Sequence, residues 1–507
     1  MIPTKAPDTG LVKYIIFMLI LNMHLLSCGE DVGSALFNEN AQPKSNSQVE
    51  EEVEPVEVDL NGNGDYSSLN AAIAAGEKYI IVRSGTYEVT EIITIQEDGV
   101  TIEGENKDDV SVIQMNSAHD LFIIKSDHVT IKNLTLDTKT HNAQAVIVEA
   151  GASNLTIENN NIYGSSNIIP IFLAGPEIPD GDSEINVYLE NSESSQDFSK
   201  NNVVSNNFIS SNFNGSSISL SLQLYGEITN NTIEGGMINL AISKEVSISD
   251  NSIKDSSQSG ITINLPASKI TISGNTIENS SLHGISMLAQ YENFVYENVT
   301  SNGIMISNNI IDANIYGLAL QGYDDGHDNW GAVTGVSVLG NTINQSDFAG
   351  LWIYEIDDVT ITSNNISFSN CDVSARGVGD IPSIASRDSA GIHLYDGISN
   401  FNISSNTIIK DSTCTDISVA QNAITLSNSA LSLAEIKSVI ITNNSFVNEV
   451  SDWMHSNISY LDEYIFISNS SYGDYSGYDG ADFHGIDVQN LSIIDEVSVS
   501  NNSNIIQ

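Results

Sequence analysis

The chain has 507 residues, with 17 Lys+Arg against 65 Asp+Glu and a formal net charge of -48. That balance excludes a nucleic-acid partner, because phosphate neutralisation needs clustered cations. It also disfavours acidic glycans unless calcium bridges the charges, and three cysteines exclude a disulfide-dense scaffold.

At the N-terminus, Lys5 and Lys13 precede an apolar run from Tyr14 to Leu26, which ends in Leu25-Leu26-Ser27-Cys28. A basic start, a short apolar stretch and a small residue before the cut form an export signal. The run is too short for a comfortable membrane span. Leu-Leu-Ser-Cys resembles a bacterial lipobox, which implies a lipoprotein signal peptide over 1–27, cleavage before Cys28 and lipidation of its sulfur. The chain is then expected to be exported and lipid-anchored to the bacterial outer membrane. Only the lipid would touch the membrane. Residues 28–57 crowd Glu50, Glu51, Glu52, Glu54 and Glu57 without apolar periodicity, which reads as a disordered acidic tether. Glu30 and Asp31 resemble the acidic start of lipoproteins displayed on the outer cell surface.

From residue 58 the chain repeats itself. Alternating β-branched residues, then Asn, one residue and Ile recur as Ile270-Thr-Ile-Ser-Gly-Asn275-Thr-Ile277, Val336-Ser-Val-Leu-Gly-Asn341-Thr-Ile343 and Val359-Thr-Ile-Thr-Ser-Asn364-Asn-Ile366. Further copies centre on Asn133, Asn160, Asn207, Asn231, Asn251, Asn309, Asn406 and Asn444. Period-2 alternation makes one side of each short strand apolar. A single strand cannot bury that side, so the units must stack as coils. Asn suits the bend, since it tolerates left-handed backbone and its amide bonds nearby backbone groups. The stacked amides are expected to form a structural ladder.

The first unit differs. Tyr66-Ser-Ser-Leu69-Asn-Ala-Ala-Ile73 reads as a short helix, followed by Tyr79-Ile-Ile-Val82, Gly85-Thr-Tyr87, Ile92-Ile-Thr-Ile95 and Gly99-Val-Thr-Ile-Glu-Gly104. This resembles the N-terminal cap of the pectate-lyase-like superfamily. The resemblance implies an all-β fold: a single-stranded right-handed parallel β-helix over 58–450, plugged by a capping helix. Residues 451–507 are expected to form C-terminal coils and a cap; the stretch from Tyr472 to His484, rich in Tyr, Asp and Gly, reads as the capping loop or as a second ligand surface. The superfamily hosts lyases, hydrolases, epimerases and non-catalytic adhesins, so fold alone names no activity. Such solenoids need no partner, and a monomer is expected. Cys371 and Cys414 fall at similar offsets after Asn364 and Asn406. In an exported protein they can bridge neighbouring coils or remain free thiols.

A second recurring strand begins at Gly260, Gly284, Gly317, Gly350 and Gly391. Alternation sends two positions of each copy outward: Thr262 and Asn264, Ser286 and Leu288, Ala319 and Gln321, Trp352 and Tyr354, His393 and Tyr395. In consecutive coils, roughly 4.8 Å apart, Trp352 would lie beside His393 and Tyr354 beside Tyr395. Aromatic rings in a row suit sugar stacking, so Trp352, Tyr354, Glu355 and Trp330 are candidates for polysaccharide binding. Arg376 and Arg387, in the long insertion before Gly391, could pair a substrate carboxylate. Asp396 follows Tyr395, and an insertion after Gly322 carries Tyr323, Asp324, Asp325, His327 and Asp328. Paired carboxyls in adjacent coils, such as Glu355 and Asp396, suit glycoside hydrolysis if one is protonated and one ionised, or they could hold calcium together with Asp324 or Asp325. Tyr323, His327, His393 or Tyr395 suit the proton abstraction of lyases and epimerases. Asp324, Asp325 and Asp328 could hold calcium. The hydrolase motifs of the superfamily are missing, and Tyr323-Asp-Asp325-Gly-His327 matches the epimerase element only loosely. A polysaccharide-acting enzyme, a non-catalytic glycan-binding or adhesive protein and a structural solenoid all remain open.

Overall fold

The computed structural model describes residues 53–138, 141, 143–149, 151–165, 168–174, 198–211, 215–288, 300–313, 315–322, 333–346, 349–368, 388–395, 398–410, 420–427, 436–448, 483–489, 494–500 and 503–506. Among the described residues every strand pair is parallel, and each strand pairs with the corresponding strand one coil away. The chain forms the expected right-handed parallel β-helix. Its strands fall into three columns. One coil is Ile261–Ser268 in sheet I, Thr271–Ser273 in sheet II and Thr276–Ser280 in sheet III. The next coil is His283–Leu288, Ser301–Ser307 and Ile310–Ala313.

The interior is a set of aliphatic columns. In sheet II, Ile228, Ile248, Ile272, Ile306, Val338, Ile361, Ile403 and Ile441 stack in register, and all are fully buried. Burying each contributes about 2 kcal/mol, and β-branched side chains suit the pleat. At the N-terminal end, Ser68 caps the helix Leu69–Ala74 by accepting from the Ala71 N–H, and Leu69 and Ala72 are buried. The Tyr87 hydroxyl donates to the carbonyls of Val58 (2.9 Å) and Arg83 (2.8 Å), fixing the Gly85-Thr-Tyr87 turn. No described helix is long and apolar enough to cross a membrane.

The turn from sheet II to sheet III holds two residues in coil after coil, as at Gly274-Asn275 and Ser363-Asn364. The expectation that one Asn supplies both the left-handed backbone and the ladder amide is corrected here. Two neighbouring residues share those tasks. The first of each pair is left-handed: Asn159, Asn206, Asn230, Asp250, Gly274, Asn308 and Ser363 all have φ between 51° and 67°. The second carries the buried amide. Asn133 is of the first kind (φ 60°), and Leu134 fills the ladder position beside it. From Asn160 to Asn444, each Asn donates from both its N–H and its Nδ2 to the Oδ1 of the next, at 2.9–3.1 Å.

Long connections occur elsewhere. They leave or enter sheet I, at 174–198, 289–300, 322–332, 369–387, 411–419 and 428–435. The outward face of sheet I is therefore flanked in sequence by insertions on both edges, while the opposite corner stays uniform.

Candidate functional site

Sheet I lies flush against sheet III because of a glycine column. A Cβ on Gly284, Gly317, Gly350 or Gly391 would meet the Cγ2 of Ile311, Ile343, Ile366 or Ile408 at 2.1–2.3 Å. Any larger residue would push the strand off the core.

Beyond each glycine the strand presents its outward rows. One row runs Ser219, Asn239, Thr262, Ser286, Ala319, Trp352, His393 and Thr425. A parallel row holds Ser221, Ala241, Asn264 and Leu288, then Gln321, Tyr354 and Tyr395 in the later coils. Trp352 thus lies beside His393 and Tyr354 beside Tyr395. Outward does not mean exposed. Ser219, Asn239, Thr262, Asn264, Ser286, Ala319 and His393 are each at most 7% exposed, while Trp352, Tyr354 and Glu355 are partly buried. Trp352 and Tyr354, which alternation places outward, are thus covered over most of their area.

The aromatic end is a packed cluster outside the solenoid core. Tyr316 and Trp352 stack at 5.7 Å between centroids, and Trp352 and Tyr354 at 5.8 Å with rings 2° from parallel. His283 lies 5.2 Å from Tyr316. The rings fit because Ala319 neighbours Trp352 and Ala349 neighbours Tyr316 across the strands. Ile315, Tyr316, Ala319 and Ala349 bury one another, with Trp352 and Leu282 against them. Such stacks add about 1 kcal/mol beyond area burial. Burial lowers the pKa of both His283 and His393 to about 4 and raises that of Tyr316. Both imidazoles are therefore neutral at pH 7, and Nδ1 of His283 is buried without a partner. A base this weak is poorly matched to proton abstraction at neutral pH.

The other end of the face is polar and uncharged. Asn264 Nδ2 donates to Asn239 Oδ1 at 2.6 Å, and Asn239 Nδ2 donates to Ser219 Oγ at 3.2 Å. Thr262 and Ser286 share a hydroxyl contact of 3.0 Å. Ser221 Oγ and Asn264 Oδ1 are buried with no partner.

Of the residues singled out from sequence, Trp352, Tyr354, Glu355 and His393 are placed on this face, with Tyr395 on its strand. Glu355 follows Tyr354 with left-handed backbone (φ 50°). Tyr323, Asp324, Asp325, His327, Asp328, Trp330, Arg376, Arg387, Asp396, Cys28, Cys371 and Cys414 lie outside the described residues. Among the described residues, no three His, Cys, Asp or Glu side chains converge as a metal site would require. Sequence reading missed His283 and Tyr316. Each immediately precedes a repeat glycine, and that position forms its own row, His283, Tyr316, Ala349 and Ala390. Reading each repeat one residue earlier would have shown it.

A family profile described as periplasmic copper-binding protein (NosD) matches residues 180–304. That segment holds one histidine, His283, and no cysteine. Its other soft donors are the thioethers of Met237 and Met287, the latter fully buried in the core. Among curated proteins none matches this chain in sequence. Several solved structures are similar in shape. The A-module of the Azotobacter vinelandii mannuronan C-5 epimerase AlgE6 is 12% identical, with a TM-score of 0.43, covering 87% of this chain and 93% of that one. PfbA, a surface adhesin of Streptococcus pneumoniae, is 13% identical, with a TM-score of 0.44, covering 75% of this chain and 86% of that one. The Agl-KA catalytic domain is 13% identical, with a TM-score of 0.45, covering 71% of this chain and 61% of that one. Likeness at this level carries nothing about chemistry.

Proposed function

We propose that this chain is an exported β-helix protein that binds polysaccharide along the outward face of sheet I. One observation carries the reading: Tyr316, Trp352 and Tyr354 form a continuous stack outside the core, beside a row of buried Ser, Thr and Asn side chains. Apolar faces of sugar rings stack on aromatic rings, and their hydroxyls need the neutral hydrogen-bonding groups next to them. Affinity electrophoresis through plant, algal and bacterial polysaccharides tests it. Retardation by at least one polymer, weakened about thirtyfold in Trp352→Ala, is expected, as for a buried aromatic anchor. Unchanged migration in every polymer would end the proposal.

A second reading makes the protein a lyase, epimerase or hydrolase. It is favoured by the connection 323–332, which leaves the strand bearing Gln321 and carries Tyr323, Asp325, His327 and Trp330. Asp396, next after Tyr395, could supply a second carboxyl, and Arg376 and Arg387 could pair a uronate. Asp324, Asp325 and Asp328 would hold calcium. New reducing ends, unsaturated products or epimerised sugars, lost in Asp325→Asn or on chelation, are the expected signs. Export agrees with the periplasmic description of the matching family. Lipid attachment at Cys28 is expected to disappear in Cys28→Ala, read by metabolic labelling with a fatty acid. A Cys371 to Cys414 bridge would show as resistance to thiol alkylation until reduction.

A further inference from the structure

The polar end of the face has a shape of its own. Ser221, Ala241 and Asn264 are neighbours in one outward row. Ser221 is 4% and Asn264 7% exposed, yet Ala241 between them is only partly buried. The small alanine thus floors a notch between two larger side chains. The flanking strands are two spacings apart, on the order of 10 Å between backbones. The chain turns away at once, since Leu222 (φ 54°) and Ile242 (φ 44°) follow with left-handed backbone.

The hydrogen bonds fix what the notch presents. Asn264 spends its Nδ2 on Asn239 Oδ1, and Asn239 spends its Nδ2 on Ser219 Oγ. Flipping Asn264 alone would set two carbonyl oxygens against each other, whereas flipping Asn264 and Asn239 together keeps both bonds with the Ser219 hydroxyl donating; in either arrangement one buried polar atom of the Asn264 amide has no partner. Asn264 Oδ1 is left as a buried acceptor without a donor, and Ser221 Oγ is likewise unpartnered. An orphaned buried acceptor is costly, and natural proteins rarely keep one without use. Neither outward row carries a Lys or Arg, and the chain has a formal net charge of -48, so a carboxylate or sulfate would find no counter-charge here. A sugar hydroxyl would donate to Asn264 Oδ1 and could accept from Ser221.

We propose that the notch over Ala241, between Ser221 and Asn264, is a subsite for the hydroxyl groups of an uncharged sugar, making the ligand a neutral polysaccharide. This rests on the glycan-binding reading above and narrows it. Asn264 lies three strand steps from the Tyr354 strand, on the order of 14 Å, a stretch that several linked rings can span.

The test is affinity electrophoresis of the full chain in neutral polymers (xylan, mannan, β-glucan, galactan) and acidic ones (alginate, polygalacturonate). Retardation by a neutral polymer that persists in high salt is expected. Asn264→Leu should weaken it about tenfold, and Ser221→Ala by a few-fold. Leu288 already occupies the adjacent position in this row, so leucine fits the strand. An unchanged melting temperature confirms that the variant folds, and Ser221→Ala gives the same readout with little risk to folding. Preference for an acidic polymer, or neutral binding indifferent to both substitutions as if the notch held only water, would overturn the neutral subsite. If Trp352→Ala still weakened retardation in either case, the glycan-binding reading would stand. Retention by no polymer, or indifference to Trp352→Ala, would overturn that reading as well.

Discussion

Two stretches of this molecule stack polar side chains coil upon coil, and they differ in how completely those side chains bond. At the II–III turn, each ladder amide is closed. Asn309 Oδ1 accepts from the N–H and Nδ2 of Asn275, and its Nδ2 donates to Asn341 Oδ1 and the Ile272 carbonyl. On sheet I the relay from Asn264 through Asn239 to Ser219 stops at an acceptor with nothing to accept. A closed ladder has no bond left for a ligand, and its worth is stability. An open relay loses stability in the apo protein and keeps a bond in reserve. Repetition of polar residues therefore does not separate scaffold from site; what differs between these two stretches is saturation.

Breaking the ladder should have the largest effect. Asn309→Ala leaves the buried N–H of Asn275 without an acceptor and removes a donor from Asn341 and Ile272. A loss of about 3 kcal/mol is expected in denaturant titration. Hydrogen exchange should rise first in the coils on either side, because a solenoid couples mainly to its neighbours.

The glycine column that seats the site strands comes next. Gly317→Ala places a methyl 2.3 Å from Ile343 Cγ2 and 2.7 Å from the Gly350 carbonyl. Overpacking of this kind costs about 2 kcal/mol. Making room with Ile343→Ala should recover part of it, measured as a non-additive double mutant.

This contrast was only half legible in the sequence. Period-2 isoleucines determine strands and interior, so the coils and the pairing of Trp352 with His393 follow from alignment of the repeats. The Asn motif showed a turn, but the split between a left-handed residue and a ladder residue appears only when Asn133 and Asn160 are compared in space. Burial of the outward row was not legible. Whether His393 meets water depends on neighbours from other coils and connections, and alternation says only which way a side chain points. His283 and Tyr316 were missed because the repeat was read from its glycine onward.

The buried imidazole of the face gives a pH signature that the ladder lacks. Burial depresses the His393 pKa from the usual 6.5 to about 4. The unfolded chain therefore binds the proton more readily, and the contribution is fully present above about pH 6.5 and is lost as pH falls toward 4. Between pH 7 and pH 5 the loss from this group is about 2 kcal/mol. His393→Gln should make the stability profile shallower over that range, His283 supplying a like share of the remaining slope, while Asn309→Ala should lower the profile without changing its slope.

The smallest effect separates the two regions most sharply. Ser221→Ala deletes a buried hydroxyl that has no partner, so the folded state gives up a desolvation penalty and no hydrogen bond. Its stability should stay level or rise by about 1 kcal/mol, read by denaturant midpoint. Alanine is compatible with that row, since Ala241 stands next to Ser221 across the strands. A loss comparable to Asn309→Ala would mean that Ser221 is saturated like the ladder and belongs to the scaffold. A gain in stability paired with weaker glycan retention would mean that the hydroxyl is kept at this position for what it binds.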